Sequence, residues 1–313
     1  MNQTRVIDVT KIEPRLKHPT IFDSFDALAE GDAVLIHNDH DPKPLYYQLI
    51  AERGNSFSWA YVENGPVVWE VEIRKNVAGK HIETLGEIAA KDLRKAEVFK
   101  KYGLDFCCGG KKTLEEACKV KGVDIVKVKE ELERHSDNLS KMPQHDFNSW
   151  NLTFLTDYIV NVHHSYVQQN IPILADLSQK VADHHGKTNP ELNSIKDKVD
   201  EMLSELKVHM KKEENILFPY IKQLESSKTT GSPAPGGFGS ILQPISVMEN
   251  DHDIVGNLAD EIRVLSSNYT TPANACNSYS LLYKKLAEFE DDLHMHIHLE
   301  NNILFPRAVE MEK

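Results

Sequence analysis

The pattern H-x-x-x-E-x-x-I-L-F-P occurs twice in this chain, at residues 209–219 and 296–306. Each copy follows a further histidine at nearly the same interval: His164 lies 45 residues before His209, and His252 lies 44 before His296. A spacing of four places a His and a Glu on one face of a helix, one turn apart and offset by about 40°. Apolar neighbours at helical intervals turn that face inward: Val160, Val167 and Ile171 around His164, Leu206 and Ile216 around His209. An ionised glutamate among imidazoles on an inward stripe is costly unless it is paired or metal-bound. Two such sets, related by an approximate two-fold axis, converge on one site. That site holds four imidazoles (His164, His209, His252, His296) and two carboxylates (Glu213, Glu300).

Donor type and number narrow the metal. Imidazole suits zinc, copper, iron and nickel, and a structural zinc ion takes only four ligands. Six converging ligands favour two ions, with the carboxylates as bridges and the imidazoles as end caps. Ferritin-like sites use Glu-x-x-His at spacing three and are richer in carboxylate, whereas here the spacing is four and histidine dominates. The sequence contains no H-E-x-x-H, which excludes that class of metalloprotease. Di-iron is the leading reading. A single inward histidine is ordinarily a hydrogen-bonded core residue, and one H-x-x-x-E recurs by chance as a surface pair. The duplication at matched spacing separates this case from both.

Neighbouring histidines do not share that argument. His294 and His298 lie two positions from His296, about 200° around the helix, and are predicted to face solvent. His163 and the His184-His185 pair fit helix-end or supporting positions better than ligation.

Around this repeat the patterns are long and helical, over 149–185, 190–225, 240–268 and 273–310. The Pro/Gly-rich stretch 226–240 divides them into halves, so residues 145–313 are predicted to form a four-helix bundle. Residues 79–140 form a short helical domain. Thr84-Leu85-Gly86-Glu87 and Thr113-Leu114-Glu115-Glu116 are capping boxes; the first opens a helix to Tyr102, and a third helix starts after Asp124. Between them lies Asp105-Phe106-Cys107-Cys108-Gly109-Gly110. Adjacent cysteines rarely bridge each other. The glycines, the next helix N-terminus and Lys111-Lys112 suggest an exposed, activated dithiol, a candidate redox couple or iron-transfer site. Cys118 and Cys276 sit in helical patterns and read as packed side chains.

Residues 1–78 alternate strand and helix signals in the order β-α-β-α-β-β, which suits a small two-layer α+β domain. His18-Pro19 is predicted to open the first helix, and Asn64-Gly65 to turn the closing hairpin. His37, His40 and Asp41 either bind a metal or serve as turn and helix-start residues; the second role accounts for them with fewer assumptions.

Composition sets the outer limits. Lys+Arg total 36 against Asp+Glu 48, a net charge of −12, which opposes nucleic-acid or anionic-membrane binding. No apolar run approaches the ~20 residues of a membrane span. The first ten residues lack a signal-peptide pattern, so the expected location is cytoplasmic. Four cysteines are too few for a disulfide framework.

At these motifs the sequence resembles a known family. The bundle is hemerythrin-like. DFCCGG followed by that bundle, with VMENDH (247–252), Ala275-Cys276 and HLENNILFP (298–306), resembles the iron–sulfur cluster repair di-iron proteins, the RIC family that includes ScdA and YtfE. The resemblance covers roughly residues 80–313, and residues 1–78 resemble a TusA/SirA-like module. It implies the same six ligands: His164, His209, Glu213, His252, His296 and Glu300. It also implies an acidic support at Asp251, beside His252, with Glu205, one turn before His209, as a second candidate. The fifth histidine of oxygen-carrying hemerythrins has no obvious counterpart, which leaves an open or exchangeable position. The implied cofactor is a pair of non-haem iron ions, carboxylate-bridged and oxo-bridged when oxidised. The implied function is repair of iron–sulfur clusters damaged by nitrosative or oxidative stress, by iron donation or nitric oxide binding. Implied partners are damaged iron–sulfur proteins, nitric oxide or oxygen, and an unidentified electron donor. No nucleic-acid or membrane partner is implied, and a homodimer is a candidate assembly. Whether the chain is an enzyme stays open, because an oxygen or nitric oxide sensor and a di-iron nitric oxide reductase would carry the same ligands.

Overall fold

Val34, Ile36, Val71 and Ile73 alternate with more exposed residues along two strands, and that alternation builds the first core. The structure, a computed structural model, describes residues 4–54, 56–76, 82–138, 145–231, 239–273 and 275–312. Among them, β1 (Thr4–Asp8), α1 (Pro14–Asp26), β2 (Ala33–Asn38), α2 (Lys43–Arg53), β3 (Phe57–Asn64) and β4 (Trp69–Lys75) follow the predicted order. The sheet runs β1-β2-β4-β3, with β1 parallel to β2 and the other pairs antiparallel. Ile21, Phe22 and Phe25 of α1 and Leu45 and Leu49 of α2 cover one face of it, giving two layers. α1 starts earlier than predicted: Pro14 takes the first helical position and Pro19 lies inside, since only a first-turn proline spares a helix hydrogen bond. In the hairpin only Gly65 takes a positive φ, +62°. The Trp69 ring lies so close that a Cβ there would come within 2.6 Å of it.

The helical segment around the paired cysteines has its own core, built on Leu85, Phe99, Leu104, Phe106, Leu114 and Val128. It contains α3 (Leu85–Lys91), α4 (Arg94–Lys101), α5 (Leu114–Lys121) and α6 (Ile125–Asn138). Both predicted capping boxes form. The single predicted helix to Tyr102 is instead two helices. Asp92 turns extended, φ −147°, and its carboxylate accepts from the Arg94 backbone N–H while pairing with the Arg94 guanidinium at 2.7 Å. The predicted domain limits near 78 and 140 fall at 77–81 and 139–144, outside the described residues.

The chain divides into two compact units between Asp146 and Phe147. The second unit is the four-helix bundle. Its rods are α7–α8 (Leu152–Ile159 and Ser165–His185), α9–α10 (Glu191–Lys212 and Phe218–Thr230), α11 (Leu242–Leu265) and α12–α13 (Asn277–Leu299 and Phe305–Glu312). α9 packs on α8 and α11, and α12 packs on α8 and α11, which closes the ring. Each of the three composite rods is joined by a π-helical segment: Val160–His164, Glu213–Leu217 and Glu300–Leu304. In each, the bond skips one residue further than in an α-helix. Phe218 N–H donates to Glu213 O, and Phe305 N–H to Glu300 O. Such wide turns are rare and cluster at functional sites. One expectation is corrected here. Ile216 was expected inward but is about half exposed, while Leu217 beside it is buried; Ile303, at the same place in the second π-helical segment, is buried, so what packs against each copy sets the difference. Among the described residues no helix is long and apolar enough to cross a membrane.

Candidate metal centre

Glu213 and Glu300 each open a π-helical segment, and His164 closes one. The rods carry the six predicted side chains to one level of the bundle, where all six are buried. They fall into two overlapping groups: His164, His296, Glu213 and Glu300, and His209, His252, Glu213 and Glu300. Within each group the ligand atoms lie within 4.8 Å of one another, and both carboxylates belong to both groups. His164 Nε2 is 3.2 Å from His296 Nε2, and His209 Nε2 is 3.0 Å from His252 Nε2. Glu213 Oε2 is 3.3 Å from His164 Nε2 and 3.2 Å from His209 Nε2. Glu300 Oε2 is 3.0 Å from His252 Nε2, and Glu300 Oε1 is 3.1 Å from His296 Nε2.

Among these carboxylate contacts only His296 Nε2 to Glu300 Oε1 is also a hydrogen bond. Both Glu213 oxygens and Glu300 Oε2 accept none, although nitrogens lie close by. Two ionised, fully buried carboxylates left that way would cost several kcal/mol. The outer edges of the rings supply the explanation. His164 Nδ1 meets Glu214 Oε1 at 2.8 Å, His209 Nδ1 meets Asp251 Oδ2 at 3.4 Å, and His252 Nδ1 meets Asn301 Oδ1 at 2.8 Å. An acceptor at Nδ1 orients each of these rings and leaves Nε2 turned toward its counterpart. Nitrogens and bare carboxylates gathered this way call for positive charge among them, a proton on His209 in the metal-free chain or a bound cation. The donor set therefore fits a metal site.

Titration behaviour follows the same geometry. Burial raises the Glu300 carboxyl, yet His296 and His252 drive it well below the ordinary carboxylate value. Glu213 is likewise lowered, burial and Glu300 being outweighed by His209 and His164. Burial disfavours charge on His209, but Glu213 and Asp251 push it up to about 10. Burial lowers His296 despite Glu300 beside it.

Several surrounding residues differ from expectation. His298 was predicted to face solvent and is fully buried, with Nδ1 3.2 Å from Asn302 Nδ2. Residues 296–301 are buried on every side, so a position 200° from His296 is still interior. His294 is half-buried. His163 takes a supporting place: it is buried, meets Asp292 Oδ1 at 2.9 Å and stacks parallel to His296 at 5.8 Å. Asp251 supports His209 and is itself held by Lys212 at 2.7 Å. Glu205 is exposed on α9 and supports nothing in the site. Sequence reasoning missed Glu214 and Asn301. The signal was present, since each directly follows the glutamate of its copy of the repeat.

The cysteine loop is less open than predicted. Cys107 is buried and Cys108 half-buried, and no disulfide joins them. The Cys108 sulfur, burial and the Asp105 carboxylate together raise the Cys107 thiol well above its ordinary value, so an activated thiolate is not what this residue offers. Cys118 is buried, as expected. Cys276 is exposed because α12 starts one residue after it, and its sulfur lies 3.2 Å from His185 Nε2. In the first unit, His37 pairs with Glu70 and His40 with Asp39, while Asp41 accepts from the Lys43 N–H and from Tyr61. Among the described residues no metal-ligating group closes there, and the turn reading accounts for Asp41.

Comparison with known proteins converges on the same place. Residues 156–308 match the hemerythrin HHE cation binding domain, a span that contains all six clustered side chains. The chain is 40% identical over 227 residues to the iron-sulfur cluster repair protein YtfE of Edwardsiella ictaluri, covering 72% of this chain and 96% of that one. It is 37% identical over 233 residues to YtfE of Yersinia pestis, covering 74% and 98%. The chain belongs to the iron–sulfur cluster repair family. Residues 81–136 match the ScdA_N domain, described as a domain of unknown function, so the cysteine loop lies within a family module. Residues 6–75 match an uncharacterized conserved protein family, DUF2249, attached here to the iron–sulfur cluster repair modules.

Proposed function

We propose that this chain is a stress-response protein that restores iron–sulfur clusters damaged by nitric oxide or oxidants, with a non-haem di-iron centre at the six-residue site. The observation that supports this most is the shared pair of buried carboxylates, Glu213 and Glu300, between two His pairs. When bound, two irons bridged by those carboxylates, and by oxo when oxidised, would supply exchangeable iron and a site for nitric oxide or oxygen. The protein's own residues do the rest. Glu214, Asp251 and Asn301 fix three imidazoles at Nδ1. Phe218 and Phe305 stack on His164 and His252 at 5.7 and 6.1 Å and cover one face of each ring. Cys107 and Cys108 are assigned the role of taking iron or electrons. The partners are damaged iron–sulfur proteins and a reductant, in the cytoplasm. The names of the relatives favour repair over a sensor or reductase reading.

The test is metal content of protein purified without added metal, a visible spectrum before and after dithionite and nitric oxide, and reactivation of a nitric-oxide-damaged cluster enzyme. Two irons per chain, bands that respond to both reagents, and restored activity are expected. One zinc ion, or no metal after reconstitution, would overturn the di-iron centre. Two irons without reactivation would overturn repair.

A further inference from the structure

Outside the bundle, one more set of metal-ligating side chains converges among the described residues. Asp105, Cys107 and Cys108 each place a ligand atom within 4.8 Å of the other two. Cys107 Sγ is 3.1 Å from Asp105 Oδ1 and 4.0 Å from Cys108 Sγ. On a tetrahedral ion with bonds of about 2.3 Å to sulfur and about 2.0 Å to oxygen, sulfurs sit roughly 3.8 Å apart, and sulfur and oxygen roughly 3.5 Å. The loop is within about 0.4 Å of both spacings before any ion is bound.

We propose that Asp105, Cys107 and Cys108 form a metal site separate from the bundle centre, holding one divalent ion of borderline softness, ferrous iron or zinc, with a fourth position open. Two thiolates and a carboxylate are a donor set suited to such ions. The loop holds the carboxylate in place. Asp105 Oδ1 accepts from the Cys107 N–H at 3.0 Å, and Oδ2 accepts from the Gly109 N–H at 2.8 Å. A Cβ at position 109 would come within 2.9 Å of Oδ2, so the close approach requires glycine. The loop is also tied to the start of α3: Leu85 N–H donates to Lys112 O and Gly86 N–H to Gly110 O, both at 2.8 Å. The three donors grade from buried (Cys107) through half-buried (Cys108) to exposed (Asp105), which leaves a path for the ion.

Binding is coordination without redox change. Each thiol exchanges its S–H bond for a sulfur–metal bond and releases one proton to solvent, two per ion. The occupied site carries a net charge of −1, beside Lys111 and Lys112 in sequence. Asp105 thereby gains a ligand role, and the high proton affinity of Cys107 becomes the barrier that a cation removes. The inference depends on the repair reading only for the physiological metal.

The experiment uses reduced full-length protein with the bundle already loaded with iron, in a Cys276→Ser background, titrated anaerobically with cobalt(II). One equivalent should produce thiolate-to-cobalt absorption and the visible bands of a four-coordinate ion. Oxygen and imidazole ligands give no thiolate band, so the signal reports the loop alone. Cys107→Ser or Cys108→Ser should abolish it, and Asp105→Asn should weaken binding about tenfold or more. A wild-type titration without the thiolate band, or one that Asp105→Asn leaves unchanged, would overturn the site. Should Asp105→Asn fail to fold, native protein decides: one equivalent of cadmium(II) should slow alkylation of Cys108 by iodoacetamide, and equal rates would overturn it. Cobalt binding intact in a chain that repairs nothing would sink the repair reading and leave this site standing.

Discussion

The two halves of the bundle contribute ligands by the same rule and support them by different ones. In both, a histidine one turn before a π-helical segment and the glutamate that opens it face inward, and an upstream histidine completes the set. Behind the rings the halves part. His164 is backed by an anionic residue, Glu214, while its counterpart His252 is backed by the neutral Asn301. His209 is backed by Asp251, itself paired with Lys212, while the outer nitrogen of His296 has no hydrogen-bond partner among the described residues. Duplication fixes the inner geometry, and the outer contacts are free to diverge. On the two-ion reading proposed above, the two positions are held unequally: His209/His252 with both rings anchored, His164/His296 with one.

Removing a shared carboxylate should erase the distinction. Because Glu213 and Glu300 serve both positions, Glu213→Ala and Glu300→Ala should behave alike and lower metal content from two ions to one or none. Elemental analysis of the purified variants checks this, and a variant that keeps two ions would break the symmetry argument. Next in size is the difference between positions. Chelator should remove metal from the native chain in two phases, and Asn301→Ala should weaken the anchored position by about 10–100-fold and merge them. A single phase in the native chain would mean that the outer contacts carry no weight. Glu214→Gln should have a smaller effect, about tenfold on the His164/His296 position alone.

Last comes the metal-free protein, where only stability changes. His209 sits at about 10 in the folded chain against an ordinary 6.5, so folding binds its proton. That contribution is complete below pH about 6.5 and disappears as pH rises through about 10. The urea midpoint of the metal-free protein should therefore fall between pH 7 and 10. A flat profile would show that His209 does not hold the proton.

The six clustered side chains were legible because they obey local rules. Spacing of four, an inward stripe and a duplicated interval need no knowledge of tertiary packing, and all six side chains meet where those rules place them. The α+β order and both capping boxes were readable for the same reason. What failed depended on neighbours distant in sequence. His298 looked like a solvent position because periodicity describes one helix, and only the packed bundle shows that this turn is enclosed on all sides. Cys107 looked exposed because its loop is rich in glycine, whereas Asp105 and the adjacent core draw it inward. Ile216 failed for the same reason: Ile303 holds its place in the second copy of the repeat and is buried, so the packing around each copy decides.

The wide π-helical turns give the bundle a place where chain length can change with little effect on packing. Each π-helical segment carries one residue more than a regular helix would use over the same rise. Deleting a single residue at Asn215 would return that segment to a regular helix, with Phe218 bonded four residues back to Glu213. Phe218 and Tyr220 would keep the core positions they now fill. The same deletion inside α9 would turn everything beyond it by about 100°, out of the core. The wide turns are thus the points at which a rod can lose a residue and stay in register.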